Sequence, residues 1–160
     1  MSDAEPVAIR PAGPSDMDEV RDLFLEYGRS LNFDLCFQGF EQELASLPGC
    51  YAEPAGRILL AVNGDESAGV VALRPLKAGI CEMKRLYVRP RWRGRDVGGR
   101  LARAVVDEGR RLGYRAMRLD THDSMQAAIA LYRGLGFREI PRYYDNPLAG
   151  IHYFELRFAG

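Results

Sequence analysis

Between Tyr87 and Leu101 a strand-like run enters a turn carrying Gly94, Gly98 and Gly99 and leaves it as a helix beginning near Val97. This junction sets a strand end beside a helix start, and that arrangement binds anions. Backbone N–H groups in the first turn of a helix have no intrahelical partner and lie at the positive end of the helix dipole, so the main chain itself holds a phosphate there. Without Cβ atoms, the three glycines let ligand oxygens approach closely. Asp96 tolerates a left-handed backbone better than most residues, but its carboxylate falls near the anion position. It is expected to point to solvent or to pair with a neighbouring arginine.

The charge distribution singles out the same segment. Net charge is zero, yet residues 1–83 carry a balance of −8, residues 84–118 of +9 and residues 119–160 of −1. The middle third is thus an anion-binding region. Its arginines crowd a glycine turn instead of alternating with aromatics, and the whole chain is neutral, so a small phosphorylated ligand is expected and nucleic acid is not. At 160 residues the chain is long enough for one domain with a core, expected over 7–160 behind a short tail at 1–6. No apolar run of about 18 residues is present and Met1–Pro6 is acidic, so neither a membrane partner nor a secretory leader is expected and the location read from the sequence is cytoplasmic. Cys36, Cys50 and Cys81 make no paired set, and His122 and His152 lack metal-ligand spacing, so no metal is expected.

Periodicity gives the elements. Val7 to Arg10 reads as a strand, and Val20, Leu23, Phe24 and Tyr27 mark one face of a helix over about 16–30, capped by Ser15. A shorter helix is expected over 38–47. Arg57 to Val62, an Asn63-Gly64 turn and Ala68 to Leu73 form a hairpin, extended by Cys81 to Val88 into an antiparallel meander. Val97, Leu101, Ala104, Val105 and Leu112 then recur at helical spacing up to Gly113, and residues 115–120 alternate as a strand. Residues 124–135 are helical and apolar almost all round, which predicts a well-buried helix. A return strand from Gly136-Phe137 and a last one over 151–158 complete the order. The class is α/β (α+β): a single mixed, mostly antiparallel sheet flanked by helices.

The glycine segment resembles the R-G-x-G-x-G pyrophosphate loop of the GNAT superfamily of N-acetyltransferases, with Asp96 where that family most often has Gly. A second signature, Ala128-x-x-x-Tyr132-x-x-x-Gly136-Phe137, follows at the family's distance, and the element order matches over roughly 7–158. The resemblance implies acetyl-CoA as cosubstrate, its diphosphate on Arg93, Gly94, Arg95, Asp96, Val97, Gly98 and Gly99, and its pantetheine amides along the main chain of Leu86, Tyr87 and Val88. Tyr132 then donates a proton to the departing thiolate; otherwise it packs as a core aromatic. Met125 stands where the family often has an Asn that contacts the coenzyme, so that contact is absent or is made by Asp123 or Ser124.

Direct attack needs a neutral amine, whereas an alkylamine of pKa about 10.4 is protonated at pH 7. Glu82, where the family often carries a carboxylate, is the candidate general base; alternatively it is a surface strand residue or ion-pairs with Lys84 or an arginine. An acyl-cysteine route through Cys81 has no paired base in the sequence, so direct transfer is expected. Phe33, Asp34, Tyr143, Tyr144 and Asp145 mix aromatic faces with carboxylates, which suits a small cationic amine as acceptor. The rival reading is a silent acyl-CoA sensor, and a protein lysine or N-terminus is the less favoured acceptor. The oligomeric state is monomer or homodimer.

Overall fold

The structure, a computed structural model, describes residues 7–31 and 39–158. Seven strands form one sheet: β1 (Ala8–Pro11), β2 (Arg57–Asn63), β3 (Glu66–Lys77), β4 (Ile80–Val88), β5 (Ala116–His122), β6 (Arg138–Ile140) and β7 (Ile151–Arg157), in the order β1-β2-β3-β4-β5-β7-β6. All neighbours are antiparallel except β4 and β5. Four helices cover it: α1 (Met17–Ser30), α2 (Phe40–Ala45), α3 (Val97–Arg111) and α4 (Gln126–Gly134). Among the described residues no helix is long and apolar enough to cross a membrane.

Strand alternation sorts the core into two layers. Leu59, Ala61, Val71, Leu73, Cys81 and Met83 face α3 and α4, where Leu101, Val105 and Tyr132 meet them. Ile58, Leu60, Val70 and Ala72 face the other way, onto Val20, Leu23 and Phe24 of α1 and Leu44 of α2. The apolar stripe read in 16–30 is therefore the buried face of α1. Its start differs from the expectation: a 3-10 turn over Pro14–Asp16 precedes it, and Asp16, not Ser15, organises the entry by accepting the Gly13 amide at 2.7 Å and the Arg10 guanidinium at 2.8 Å.

The predicted burial of residues 124–135 is overturned. In α4 only Tyr132 is buried, and Gln126, Ala127 and Ala130 are exposed. Part of the apolar surface of this helix, at Ala127, Ala128 and Leu131, walls an open groove instead of meeting a second layer. The shorter helix is confined to Phe40–Ala45, and Gln38 lies outside the described residues.

Two irregularities shape the middle of the sheet. β4 pairs with β5 only where Ile80, Cys81 and Glu82 meet Ala116, Met117 and Arg118; beyond that β4 continues on β3 to Val88 and β5 continues on β7 to His122. The two strands thus diverge into a wedge. In the same stretch Val70 pairs with Tyr87 and Ala72 with Lys84, so Val71 faces both Arg85 and Leu86, a bulge with Arg85 at φ 62°. The extra residue inverts the parity of β4: Cys81 and Met83 face α3, and past the bulge Leu86 and Val88 do so too, while Tyr87 turns toward α1.

Candidate functional site

Past the bulge, Leu86, Tyr87 and Val88 border an open groove of about 400 Å³, with Tyr27 and Ser30 of α1 on one side and 124–128 with Leu131 on the other. Arg93 and Gly98 close its end. Here the glycine turn has the geometry the sequence suggests. A 3-10 turn over Pro90–Trp92 buries Trp92, Gly94 takes φ 80° and Asp96 takes φ 58° as the residue before α3. Asp96 makes no capping bond with its side chain, so the first amides of α3 stay available to a ligand. Its carboxylate is drawn off by Arg103 at 2.6 Å. A Cβ on Gly99 would lie 2.1 Å from that carboxylate, so glycine there permits the placement. At Gly98 a Cβ would meet only Val88 Cγ2 at 3.5 Å, which leaves the groove open above it.

Two of the arginines are oriented by local contacts. Arg93 donates from Nε to the Val88 carbonyl at 3.0 Å and lies over the Tyr87 ring, whereas Arg95 stacks on Trp92 at 5.0 Å. Ser124 borders the groove and is held by His122, whose Nδ1 lies 2.8 Å from its hydroxyl and 3.0 Å from its amide nitrogen. His122 is thereby a hydrogen-bonded residue at the strand end.

Inside the wedge the groove narrows to a throat of about 40 Å³ bordered by Lys84, Arg85, Leu119, Asp120, Met125 and Tyr132, among others. Tyr27, Leu86 and Met125 border both spaces. Burial first, then the neighbouring Tyr27 and Asp120, hold the Tyr132 phenol above its ordinary pKa. It therefore keeps its proton at neutral pH. On the far side Lys84 and Arg85 border a third space, a cavity of about 320 Å³ with Arg74, Glu82, Tyr143, Tyr144 and Asp145 in its wall. The three spaces adjoin: Tyr27, Leu86 and Met125 wall the groove and the throat, and Lys84 and Arg85 wall the throat and the cavity.

The cavity floor is a row of ion pairs. Arg74 grips Glu82 at 2.7 and 2.8 Å, Arg85 grips Glu43 of α2 with two bonds at 2.8 and 2.9 Å, and Lys84 faces Asp120 at 3.7 Å. A strap over residues 141–150 closes one wall. From it Tyr143 donates to Glu82 at 2.5 Å and Tyr144 donates to Asp120, while Asn146 donates to the Tyr144 hydroxyl at 2.9 Å. The rings of Tyr143, Tyr144 and Tyr153 pack edge to face. Burial and the adjacent carboxylates push both strap phenols up, so they act as donors.

Of the residues read from sequence, Leu86, Tyr87, Val88, Arg93, Gly98 and Ser124 border the groove, Tyr132 the throat, and Glu82, Tyr143, Tyr144 and Asp145 the cavity; Val97 is buried in the core, Gly94, Arg95, Asp96 and Gly99 lie in the turn beside the groove, and Phe33 and Asp34 lie outside the described residues. Glu82 reaches the cavity, not the throat, and is paired with an arginine. Cys81 turns away beneath α3, and burial pushes its thiol up to about 12, which leaves no thiolate for a covalent route. Sequence reasoning missed Asp120 and the cations Arg74 and Arg85. Asp120 alternates with Leu119 and Thr121, which marks it only as lying on the face away from the α3 core.

Residues 17–137 match the acetyltransferase (GNAT) family model. An uncharacterized N-acetyltransferase of Schizosaccharomyces pombe is 38% identical over 148 residues, which cover 91% of each chain. Among solved structures, a GNAT-family acetyltransferase of Staphylococcus aureus superposes with a TM-score of 0.78 at 21% identity, covering 94% of this chain and 98% of that one. An acetyltransferase of Bacillus subtilis in complex with CoA does so with a TM-score of 0.70 at 21% identity, covering 96% and 100%.

Proposed function

The chain belongs to the acetyltransferase (GNAT) family, and from that premise we propose that it transfers an acetyl group from acetyl-CoA directly to the amine of a small molecule. The observation that carries this reading is the succession of adjoining spaces: a groove at the start of α3 suited to phosphate, Tyr132 at the throat, and beyond it a cavity walled by paired carboxylates and cations together with Tyr143, Tyr144 and Asp145. The donor fits the groove on its own terms. Uncapped amides at the start of α3, with Arg93 and Arg95, suit a diphosphate, and Leu86 to Val88 offer a strand edge to amides. Acetyl-CoA supplies an activated carbonyl carbon on a thiol of pKa about 8.5, already a fair leaving group.

The chain's own residues do the rest. Tyr132 holds a proton where the sulfur is to depart. The cavity wall of Tyr143, Tyr144 and Asp145 receives the acceptor, whose cationic form suits aromatic faces and the exposed Asp145 carboxylate. A cavity of about 320 Å³ suits a metabolite-sized amine better than a polypeptide segment. A proton must leave the ammonium before attack, and of the carboxylates that border these spaces Glu82 in the cavity and Asp120 in the throat lie on the two strands that diverge.

An acceptor panel read by thiol release tests the proposal. Release with primary amines supports it. Tight acetyl-CoA binding without turnover across a broad panel points instead to a sensor, and turnover with hydroxyl or anionic acceptors alone overturns the amine assignment.

A further inference from the structure

We propose that Asp120 is the residue that binds the acceptor ammonium and takes its proton, at the position now held by the Tyr144 hydroxyl. This rests on the acetyltransferase reading and assigns its missing base. Asp120 lies on β5 where β4 has parted from it, and it borders the throat together with Tyr132. Glu82, on the stretch of β4 still paired with β5, borders only the outer cavity.

The two carboxylates also differ in how firmly they are held. Glu82 is 1% exposed, receives two charged bonds from Arg74 at 2.7 and 2.8 Å, and accepts Tyr143 as well. Taking a proton there would break two direct bonds to a guanidinium, whereas the Asp120–Lys84 pair, though buried, has no direct bond to lose. Asp120 faces its cation, Lys84, at 3.7 Å, beyond hydrogen-bond length, and its other partner is a neutral hydroxyl on the strap. Tyr144 retains Asn146 as a partner when it leaves Asp120. An ammonium group is the natural replacement for a donor on a carboxylate, and the Lys84 charge beside it favours loss of its proton.

The step balances. The ammonium gives one proton to Asp120, and the freed lone pair forms the C–N bond to the thioester carbonyl carbon. The C–S bond breaks as Tyr132 protonates the sulfur, a second nitrogen proton returns by way of solvent to Tyr132, and the proton on Asp120 passes to solvent. Amide, thiol and one proton result.

Facing Asp120 are Lys84 on β4, Tyr27 on α1, Tyr132 on α4, Tyr143 and Tyr144 on the strap, and Tyr153 on β7, and His122, two residues further along β5, borders the same throat. All five phenols have raised pKa values, so a rate change between about pH 6 and 9 is not theirs. The test is the pH profile of kcat and kcat/KM for Asp120→Asn and Glu82→Gln, with coenzyme A affinity and thermal unfolding establishing that each variant is folded. Asp120→Asn should lose about 100- to 10,000-fold at neutral pH and regain activity with unit slope as the free amine deprotonates, with Asp120→Glu restoring part of the neutral rate. Glu82→Gln should keep the profile's shape, and Tyr144→Phe should lower the acceptor KM. An unaltered profile in Asp120→Asn, or transfer of the loss to Glu82→Gln, overturns the assignment while the acetyltransferase reading stands. Wild-type enzyme that releases no thiol with any amine overturns both.

Discussion

Removing Glu43 should be the most damaging single truncation near the site. The Arg85 side chain is 3% exposed and that of Glu43 is 13% exposed; they share two bonds at 2.8 and 2.9 Å, and the guanidinium lies over the Phe40 ring at 5.0 Å. Arg85 is also the bulge residue at φ 62°, a conformation that costs a non-glycine residue about 1–2 kcal/mol and that its partners must offset. Glu43→Ala removes the carboxylate that accepts two bonds from a buried guanidinium, and breaking a buried pair by removing one partner costs about 3–5 kcal/mol. For a chain of this size that is a fall in Tm of about 6–20 °C, at roughly 2–4 °C per kcal/mol. The double variant Glu43→Ala with Arg85→Met removes both charges and should regain much of the loss, because an apolar replacement of a buried pair is often neutral. Thermal and urea unfolding of the wild type, both single variants and the double variant close the cycle. A cost below about 1 kcal/mol for Glu43→Ala, the value of an exposed pair, or a double variant no more stable than the single, would refute the claim that this pair anchors the bulge. Because Arg85 borders both throat and cavity, Glu43→Ala should raise the acceptor KM as well.

Tyr132→Phe should lower turnover about ten- to a thousand-fold with little change in acetyl-CoA affinity, since the hydroxyl acts on charge that develops as the thiolate leaves; single-turnover rates check this, and an unchanged rate returns Tyr132 to the core. Calorimetry should find coenzyme A bound far more tightly than pantetheine, and Gly98→Leu should abolish that binding while Tm falls little, because its Cβ meets only an ordinary contact with Val88. His152 bridges Glu139, at 2.6 Å, and Asp123, and these bonds raise its pKa and lower that of Glu139. The bridge therefore stabilises the fold fully between about pH 4.5 and 6.5, is lost as pH rises through the raised folded value of His152, and is lost at the acid end as pH falls through the lowered value of Glu139. Unfolding of the wild type against His152→Gln between pH 6 and 9 should show the two curves converging at high pH, and parallel curves would refute it.

What the sequence disclosed and what it hid follow from the range of the interactions involved. The glycine turn, the stripe of Val20, Leu23 and Phe24, and the meander around Asn63-Gly64 are set by neighbours a few residues apart, and all were legible. The burial of α4 was misread because apolar composition does not say what the apolar face meets. Ala127, Ala128 and Leu131 meet a groove made by β4 and α1, elements far away along the chain. The bulge was hidden for a related reason: it is a mismatch in residue count between β3 and β4, visible only when Val71 is set against both Arg85 and Leu86. Asp120 was hidden more deeply. Alternation places it on the face away from the α3 core, and along most of a sheet that would leave a charged residue to solvent or to a surface ion pair. Here the last pair between the adjacent strand and β5 is at Arg118, two residues earlier, so the carboxylate borders the gap itself. Lys84 from β4, Tyr132 from α4 and Tyr144 from the strap converge on the same gap, and no one segment encodes their meeting. The proposed reactive centre is thus the place where two parallel strands cease to pair, which explains why the glycine turn could be read from a short stretch of chain and the gap that Asp120 borders could not.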